Sequence, residues 1–449
     1  MPELIMYKLS KSNLLAPYED KHLLYNQVSG ALIALDNSQY KDVYESDLHA
    51  LPSAFIDLLK EGSFIVDEAL DENKWLEDFY YKASFDSRRK ELTIAPTDQC
   101  NLNCPYCFEH KNQWVKMDEA TIEQTKMFVK AFVESSPTEI VYVTWFGGEP
   151  TLHMPAITSL TKYFDSLGVK MYYSMITNGT NLNKVYADKL IELNCMEMQI
   201  TLDGAKEDHD RQRPFRKTMS LNVLKTTEKK SCGSGGCGSD DVHAKSSFDK
   251  IVSNLPYLWE KGFKLDLRIN IGKQNLTAYR AVRKMLEDMG LSGVSPAGGY
   301  IRLYPSRIFY DDNTISHKEF LAAHPDFEFS ELKQFTGRTC MANRNWSFGI
   351  SQNGRLSKCW EHITNEENLV GTVWDMDVAN RGYFDYYSPT KDPVCKDCEV
   401  LASCWGGCRS LNEFYKVGYE GKKYDGCDQA LWNSKEKVTH MYRRRLVTT

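Results

Sequence analysis

Cys100-Asn101-Leu102-Asn103-Cys104-Pro105-Tyr106-Cys107 places three thiols at C-x3-C-x2-C spacing. The alternating run before it, Leu92-Thr93-Ile94-Ala95-Pro96, reads as a strand. Three thiolates on one loop cannot complete a four-iron cluster, which takes four cysteine ligands. One iron would keep an open position, able to hold an exogenous ligand and hand it an electron. A zinc knuckle lacking its fourth ligand is the plain alternative. The motifs downstream weigh against it.

Outward from this loop the sequence alternates between helical and strand periodicity. The spacing predicts a helix over 118–135 with Asp118 as N-cap and Ile122, Met127, Phe128, Ala131 and Phe132 on its apolar face. Strands are expected over 139–146, 169–176, 198–202, 265–271 and 301–304. Helices are expected over 155–167, 183–193, 248–261 and 276–289. Alternating βα units imply an α/β fold with a parallel sheet and helices outside it. Roughly six units predict a partial (β/α)6 barrel, with its site at the C-terminal ends of the strands.

Chemistry-bearing motifs fall at those ends. Trp145-Phe146-Gly147-Gly148-Glu149-Pro150 closes the second strand, where glycines allow close backbone approach and Glu149 can face an ammonium. The third strand ends Ser174-Met-Ile-Thr177-Asn178-Gly179. The fourth ends Asp203-Gly204 and runs into His209-Asp210-Arg211-Gln212-Arg213-Pro214, while Arg268 and Asn270 lie on the fifth.

This set resembles the radical S-adenosylmethionine (SAM) superfamily, including the aromatic Tyr106 just before the last cysteine. The resemblance implies a [4Fe–4S] cluster on Cys100, Cys104 and Cys107, with SAM chelating its open iron. Electron transfer would cleave SAM to methionine and a 5′-deoxyadenosyl radical, which takes a hydrogen atom from substrate. The same resemblance implies SAM contacts from Tyr106, Gly147, Gly148, Glu149, Ser174, Asn178 and Asn270. An arginine suits a carboxylate; the choice between Arg211 and Arg213 stays open, with Arg213 carried as the candidate.

One stretch departs from that pattern. An atypical insertion over about 217–246 begins Met219-Ser-Leu-Asn-Val-Leu224 and ends in a Gly/Ser/Cys tail holding Cys232, Cys237 and Asp241. Loops of this length are uncommon. Cys237 and Asp241 form C-x3-D, a spacing that resembles thioether-forming peptide substrates. The segment therefore reads either as a peptide substrate carried in cis or as a flexible loop with two idle thiols.

Thirteen cysteines stand in the 449 residues, and ten of them fall into two metal-spaced groups. The second group is Cys340, Cys359, Cys395, Cys398, Cys404, Cys408 and Cys427. It resembles the SPASM domain of peptide-modifying radical SAM enzymes. That likeness implies an auxiliary cluster I on Cys340, Cys359 and Cys408, with no fourth ligand in Phe335–Thr339. It implies an auxiliary cluster II on Cys395, Cys398, Cys404 and Cys427, making three [4Fe–4S] clusters in all. Ile350–Leu356 reads as a hairpin with an Asn353-Gly354 turn. Cys195 reads as a small buried hydrophobe.

The first 88 residues read as short strands over 5–9, 22–25 and 31–35, then a helix over 51–60, a strand over 62–66 and a helix over 72–83. That order predicts an N-terminal winged-helix-like domain and resembles the precursor-peptide recognition elements fused to many peptide-modifying enzymes. Such elements bind an extended leader at a sheet edge. The domains expected are thus 1–88, a radical SAM core over 89–310, and a bridging region with a C-terminal SPASM domain over 311–449.

A net charge of −6 gives no electrostatic footprint for nucleic acid or an anionic membrane. The N-terminus lacks signal-peptide character, and no apolar run is long enough to span a bilayer. Cysteines at metal spacing favour a reducing cytoplasm over a disulfide framework. The expected activity is installation of a crosslink, a Cys thioether first, in a ribosomal precursor peptide whose leader binds 1–88. The reductant partner would be a flavodoxin or ferredoxin. A carbon–carbon peptide cyclase, a formylglycine-forming sulfatase maturase and a non-catalytic iron–sulfur electron carrier are the alternatives. The sequence names no catalytic base.

Overall fold

The computed structural model describes residues 6–109, 114–216, 246–308, 315–325, 327, 340–363, 369–375, 388–392, 395–408 and 426–448, with backbone alone at 317, 426–433 and 447–448. The chain divides into two compact units. One comprises Met1–Asp86, Asp326–Asn345 and Phe384–Thr449; the other comprises Ser87–Pro325 and Trp346–Tyr383.

The first unit opens with β1 (Tyr7–Leu9), β2 (Asn13–Tyr18), β3 (Lys21–Asn26), β4 (Leu32–Leu35), α1 (Asn37–Tyr44), α2 (Ser53–Glu61), β5 (Ile65–Asp67) and α3 (Glu72–Phe85). β2, β3 and β4 form an antiparallel meander, and β1 pairs antiparallel with β5. The β2 strand and α1 are absent from the sequence expectation. Ala16-Pro17 inside the run Asn13–Tyr18 weakens its strand signal, and proline is tolerated there because β2 is an edge strand. Asp36 starts α1 with a capping box closed by Gln39, and Asp71 caps α3 by accepting from the Lys74 N–H.

The second unit holds β6 (Arg89–Ile94), α4 (Glu119–Glu134), β7 (Ile140–Trp145), α5 (Met154–Asp165), β8 (Lys170–Thr177), α6 (Lys184–Glu192), β9 (Glu197–Thr201), α7 (Lys206–Gln212), α8 (Ser247–Val252), α9 (Leu255–Glu260), β10 (Lys264–Ile271), α10 (Ala278–Asp288), β11 (Tyr300–Arg307) and α11 (His317–Ala323). Strands β6 to β11 are hydrogen-bonded in sequence order, every neighbouring pair parallel. This is a mixed α/β architecture with a parallel-dominated central sheet, in which β11 forms one edge and does not pair with β6. Val141, Val143 and Trp145 of β7, and Leu265, Leu267 and Ile269 of β10, are buried on one face. Tyr142 and Thr144 of β7, and Asp266, Arg268 and Asn270 of β10, alternate with them on the other, as period two requires.

The sheet continues past β6 through β12 (Ser347–Ile350), β13 (Arg355–Ser357) and β14 (Gly371–Thr372). β12 runs parallel to β6, with Ile350 opposite Ile94. The hairpin expected around Asn353-Gly354 is present, but its loop spans four residues, from Ser351 to Gly354, between β12 and β13. Back in the first unit, α12 (Leu401–Cys404) and α13 (Gly426–Thr448) complete the described elements. Val438 of α13 packs with Leu14, Ala16, Leu23, Tyr25 and Val400. Among the described residues no helix is long and apolar enough to cross a membrane.

Candidate active site

The cysteine loop leaves β6 and is stitched down by backbone. Asn103 N–H donates to Pro214 O at 2.8 Å, and Arg216 N–H donates to Asn101 O at 2.9 Å. Arg216 Nε also donates to Leu102 O at 2.9 Å, so the segment after α7 runs antiparallel to the loop. On its other side the loop meets Gly147 and Gly148. A Cβ on Gly148 would lie 2.4 Å from Asp98 O and Gln99 O; one on Gly147, whose φ is +106°, would lie 2.3 Å from Thr97 O. The Gly148 and Glu149 N–H groups donate to Thr97 O and Gln99 O. The glycines are therefore demanded by the chain's own cysteine loop, a requirement separate from any ligand.

Glu149 is fully buried. Its Oε1 accepts from the Thr151 N–H and hydroxyl and from the Thr177 hydroxyl at 2.7 Å. Its Oε2 accepts the Asn178 N–H at 2.7 Å. Each carboxylate oxygen offers about two acceptor directions, and among the described residues Oε2 has one donor, the Asn178 N–H. Asn178 carries the link onward: its Nδ2 donates to Asn101 Oδ1 at 2.8 Å and points at Cys100 Sγ, 3.7 Å away. The Ser174 hydroxyl sits within 3.0 Å of the Thr144 hydroxyl on the polar face of the sheet.

Tyr106 reaches the opposite wall. Its hydroxyl donates to Asp203 Oδ2 just after β9, and receives hydrogen bonds from Arg213 Nη1 at 2.7 Å and Asn270 Nδ2 at 3.3 Å. Asp203 Oδ1 accepts the Asn270 N–H at 2.8 Å, Asp203 O accepts from Asn275, and the Asp203 N–H donates to His209 Nδ1 at 3.1 Å. Arg213 Nη1 lies 3.9 Å from Asp203 Oδ2. Of the two arginines left open by the sequence, Arg213 lies on this wall, while Arg211 is exposed and pairs with Asp208. Asp203, His209 and Asn275 hold this wall together; in the sequence Asp203 and His209 stood in a motif without a role of their own, and Asn275 in none.

Electrostatics follow from burial. Desolvation pushes the Cys100 thiol up to about 12 and the Cys107 thiol to about 11, and raises Cys104 as well. The Cys104 charge adds to the rise at both other thiols, while Arg213 opposes it at all three. Burial also raises Asp203 and Glu149 above the usual carboxylate range, with the Arg213 cation opposing it at Asp203. His209 is held down at about 3, chiefly by burial. Buried Arg213 Nε and Glu109 Oε1 have no hydrogen-bond partner among the described residues.

No three described His, Cys, Asp or Glu side chains stand at metal-binding distances from one another. The donor chemistry of the loop nevertheless fits an iron–sulfur group: three soft thiols that sense one another's charge beside a buried cation.

The other predicted ligands lie elsewhere. Cys395, Cys398 and Cys404 belong to one turn of the first unit, packed among Leu76, Tyr80, Leu401 and Trp405 and beside Val400. Tyr80 donates to Ala402 O at 2.6 Å and stacks on Trp405 at 3.7 Å, and Gln27 Nε2 donates to Glu399 O at 2.6 Å. Cys340 and Cys408 fall in that same unit and Cys359 in the other. The Cys427 side chain, Phe335–Thr339 and the insertion with Cys232, Cys237 and Asp241 lie outside the described residues. Cys195 is fully buried, as expected of a small hydrophobe.

Residues 94–229 match the Radical SAM superfamily, so this part of the chain is a radical SAM domain. That superfamily implies a [4Fe–4S] cluster and SAM. Among curated relatives, a cysteine-type anaerobic sulfatase-maturating enzyme of Clostridium novyi is 23% identical over 72% of this chain and 88% of its own length. The Fe-coproporphyrin III synthase of Methanosarcina barkeri is 26% identical, over 43% of this chain and 39% of its own. The mycofactocin maturase MftC of Mycobacterium ulcerans is 32% identical over 25% of this chain and 29% of its own. Among solved structures, anSMEcpe with bound AdoMet and the Kp18Cys peptide superposes with a TM-score of 0.56 at 17% identity, covering 80% of this chain and 98% of that one. At that identity the likeness establishes the fold.

Proposed function

We propose that the protein is a radical SAM maturase that installs a crosslink, a cysteine thioether first, in a ribosomally made peptide. The observation that carries the enzyme assignment is the convergence of Asn178, Glu149, Tyr106, Asp203, Arg213 and Asn270 on one cysteine loop. Cys100, Cys104 and Cys107 would hold the SAM cluster. When bound, the cluster and SAM supply one-electron cleavage of SAM and abstraction of a hydrogen atom. The free direction on Glu149 Oε2 suits the SAM ammonium, and Arg213, tied to Tyr106, fixes the loop against the β9 and β10 ends.

The peptide half of the reading is supported by two features. The β2–β4 meander offers edge strands at β2 and β4, which suit strand addition by a leader. Its unit also contains the Cys395–Cys404 turn. Cys395, Cys398, Cys404 and Cys427 would hold one auxiliary cluster and Cys340, Cys359 and Cys408 another, whose open iron would suit a substrate thiolate. The Cys237/Asp241 segment is proposed as a substrate carried in cis.

A second reading, cysteine oxidation to formylglycine in a sulfatase, is favoured by the similarity to the Clostridium novyi enzyme over most of both chains. Replacing Cys100, Cys104 and Cys107 together by alanine tests the enzyme assignment. Release of 5′-deoxyadenosine from SAM is expected to vanish, and iron content to fall by one cluster's worth. Unchanged release from the triple variant would refute it.

A further inference from the structure

On the polar face of the sheet, one pleat below the Tyr106 cluster, Arg268 stands without an ion pair among the described residues. Parallel register sets it between Thr201 of β9 and Tyr304 of β11. Its Nε donates to Asn270 Oδ1 at 2.8 Å, its Nη2 donates to Ser306 Oγ at 2.9 Å, and its guanidinium faces the Tyr304 ring at 5.9 Å. A guanidinium has five N–H donors in a planar fork. Among the described residues the rest of this fork has no hydrogen-bond partner and the charge has no carboxylate in an ion pair with it.

Among the described residues, the two acids nearby have other partners. Asp266, two residues back on the same face, makes a bidentate pair with Arg302 at 2.7 and 2.6 Å. Asp203 feels the Arg268 field but is engaged by Tyr106, the Asn270 N–H and Arg213. A partly buried guanidinium with unspent donors is open to a carboxylate ligand, which its planar fork can take bidentately. The side chain is also held in place, by Asn270 and Ser306, with its remaining donors unspent.

We infer that Arg268, supported by Ser306 and Tyr304, seats a carboxylate of the peptide to be modified, an aspartate or glutamate side chain at or beside the modified residue. The inference rests on the peptide-modifying reading above. Asn270, which binds Tyr106 of the cysteine loop, lies two residues along β10, about 7 Å at strand spacing. A side chain fixed on Arg268 therefore holds the adjoining peptide within reach of the loop and selects which residue is presented. The SAM carboxylate is the other source of the same chemistry.

The test uses the full-length reconstituted protein and a fluorescent synthetic peptide with the sequence of residues 232–243. A second peptide carries Asp240→Asn and Asp241→Asn. Binding of both is measured by anisotropy, alongside SAM affinity, for the wild type, Arg268→Gln and Arg268→Lys. Circular dichroism checks that each variant folds. Arg268→Gln is expected to weaken the acidic peptide about tenfold or more, while the diamide peptide and SAM shift by less than about twofold. Arg268→Lys, which keeps the charge without the fork, should fall between.

Loss of SAM affinity with peptide binding intact would assign the seat to SAM and overturn the inference. Equal weakening of both peptides, or a wild type that binds them equally, would overturn it as well. A wild type that binds neither peptide and shows no peptide-dependent release of 5′-deoxyadenosine would sink the peptide reading, and the seat with it.

Discussion

The hydroxyl of Tyr106 donates to the buried carboxylate of Asp203, a residue 97 positions further along the chain. Tyr106 lies between Cys104 and Cys107, so this bond fixes the cysteine loop to the end of β9. Arg213 bonds the same hydroxyl and neutralises Asp203. Asp203→Asn removes the negative charge and strands a buried guanidinium. Breaking one side of a buried pair costs about 3–5 kcal/mol. A fall in melting temperature together with iron loading reduced by one cluster is expected. Full loading at wild-type stability would show that Asp203 does not position the loop. Tyr106→Phe should be milder, about 1–3 kcal/mol, since it removes a hydroxyl shared by Asp203, Arg213 and Asn270 but leaves the Arg213–Asp203 pair in place.

Gly148→Ala places a methyl 2.4 Å from two backbone oxygens of the cysteine loop. Backbone cannot swing away as a side chain does, so the loop must shift. We expect about 1–3 kcal/mol of destabilisation and weaker retention of the SAM cluster under a chelator challenge. Chelation kinetics equal to the wild type would contradict the contact.

His209 gives the site a pH signature. Its Nδ1 accepts the Asp203 N–H, and burial holds its pKa down from 6.5 to about 3. As pH falls below about 6.5 the unfolded chain binds the proton before the folded one does. The stability contribution of the neutral ring is thus complete above that pH and is lost on the way down toward 3, at about 1.4 kcal/mol per unit. His209→Asn keeps an acceptor and removes the titration. Urea denaturation between pH 7 and 4.5 should show a shallower loss for the variant; parallel curves would be against it.

Tyr80 joins the N-terminal module to the Cys395–Cys404 turn through Ala402 and Trp405. Tyr80→Phe should cost about 1 kcal/mol for the hydrogen bond alone, and Tyr80→Ala about 3–5 kcal/mol for the stack as well. Iron loss confined to the auxiliary sites is expected for Tyr80→Ala, with SAM cleavage retained. Loss of SAM cleavage in step with the iron would speak against it.

Legibility in the sequence followed range. The strands β6 to β11 each carry their own periodicity, and Asp118 marks its helix by a cap within three residues, accepting from the Thr121 N–H. Cysteine spacing exposed the candidate ligands for the same local reason. Asp203, by contrast, stood in a motif at the end of the fourth strand with no role of its own; that role depends on Tyr106, Arg213 and Asn270 arriving from distant segments. The addition of β12 beside β6 depends on the pairing of Ile350 with Ile94, which no local pattern announces. The N-terminal module and the Cys395–Cys404 turn looked like separate domains because Tyr80 and Trp405 lie hundreds of residues apart, yet they belong to one unit.

The most direct measurement is anaerobic turnover of the reconstituted protein with SAM and a reductant, followed by tandem mass spectrometry of the peptide holding Cys232 and Cys237. The prediction is release of 5′-deoxyadenosine with loss of two hydrogens per crosslink, at those cysteines or in an added precursor peptide. A fully iron-loaded protein that releases no 5′-deoxyadenosine would contradict the account.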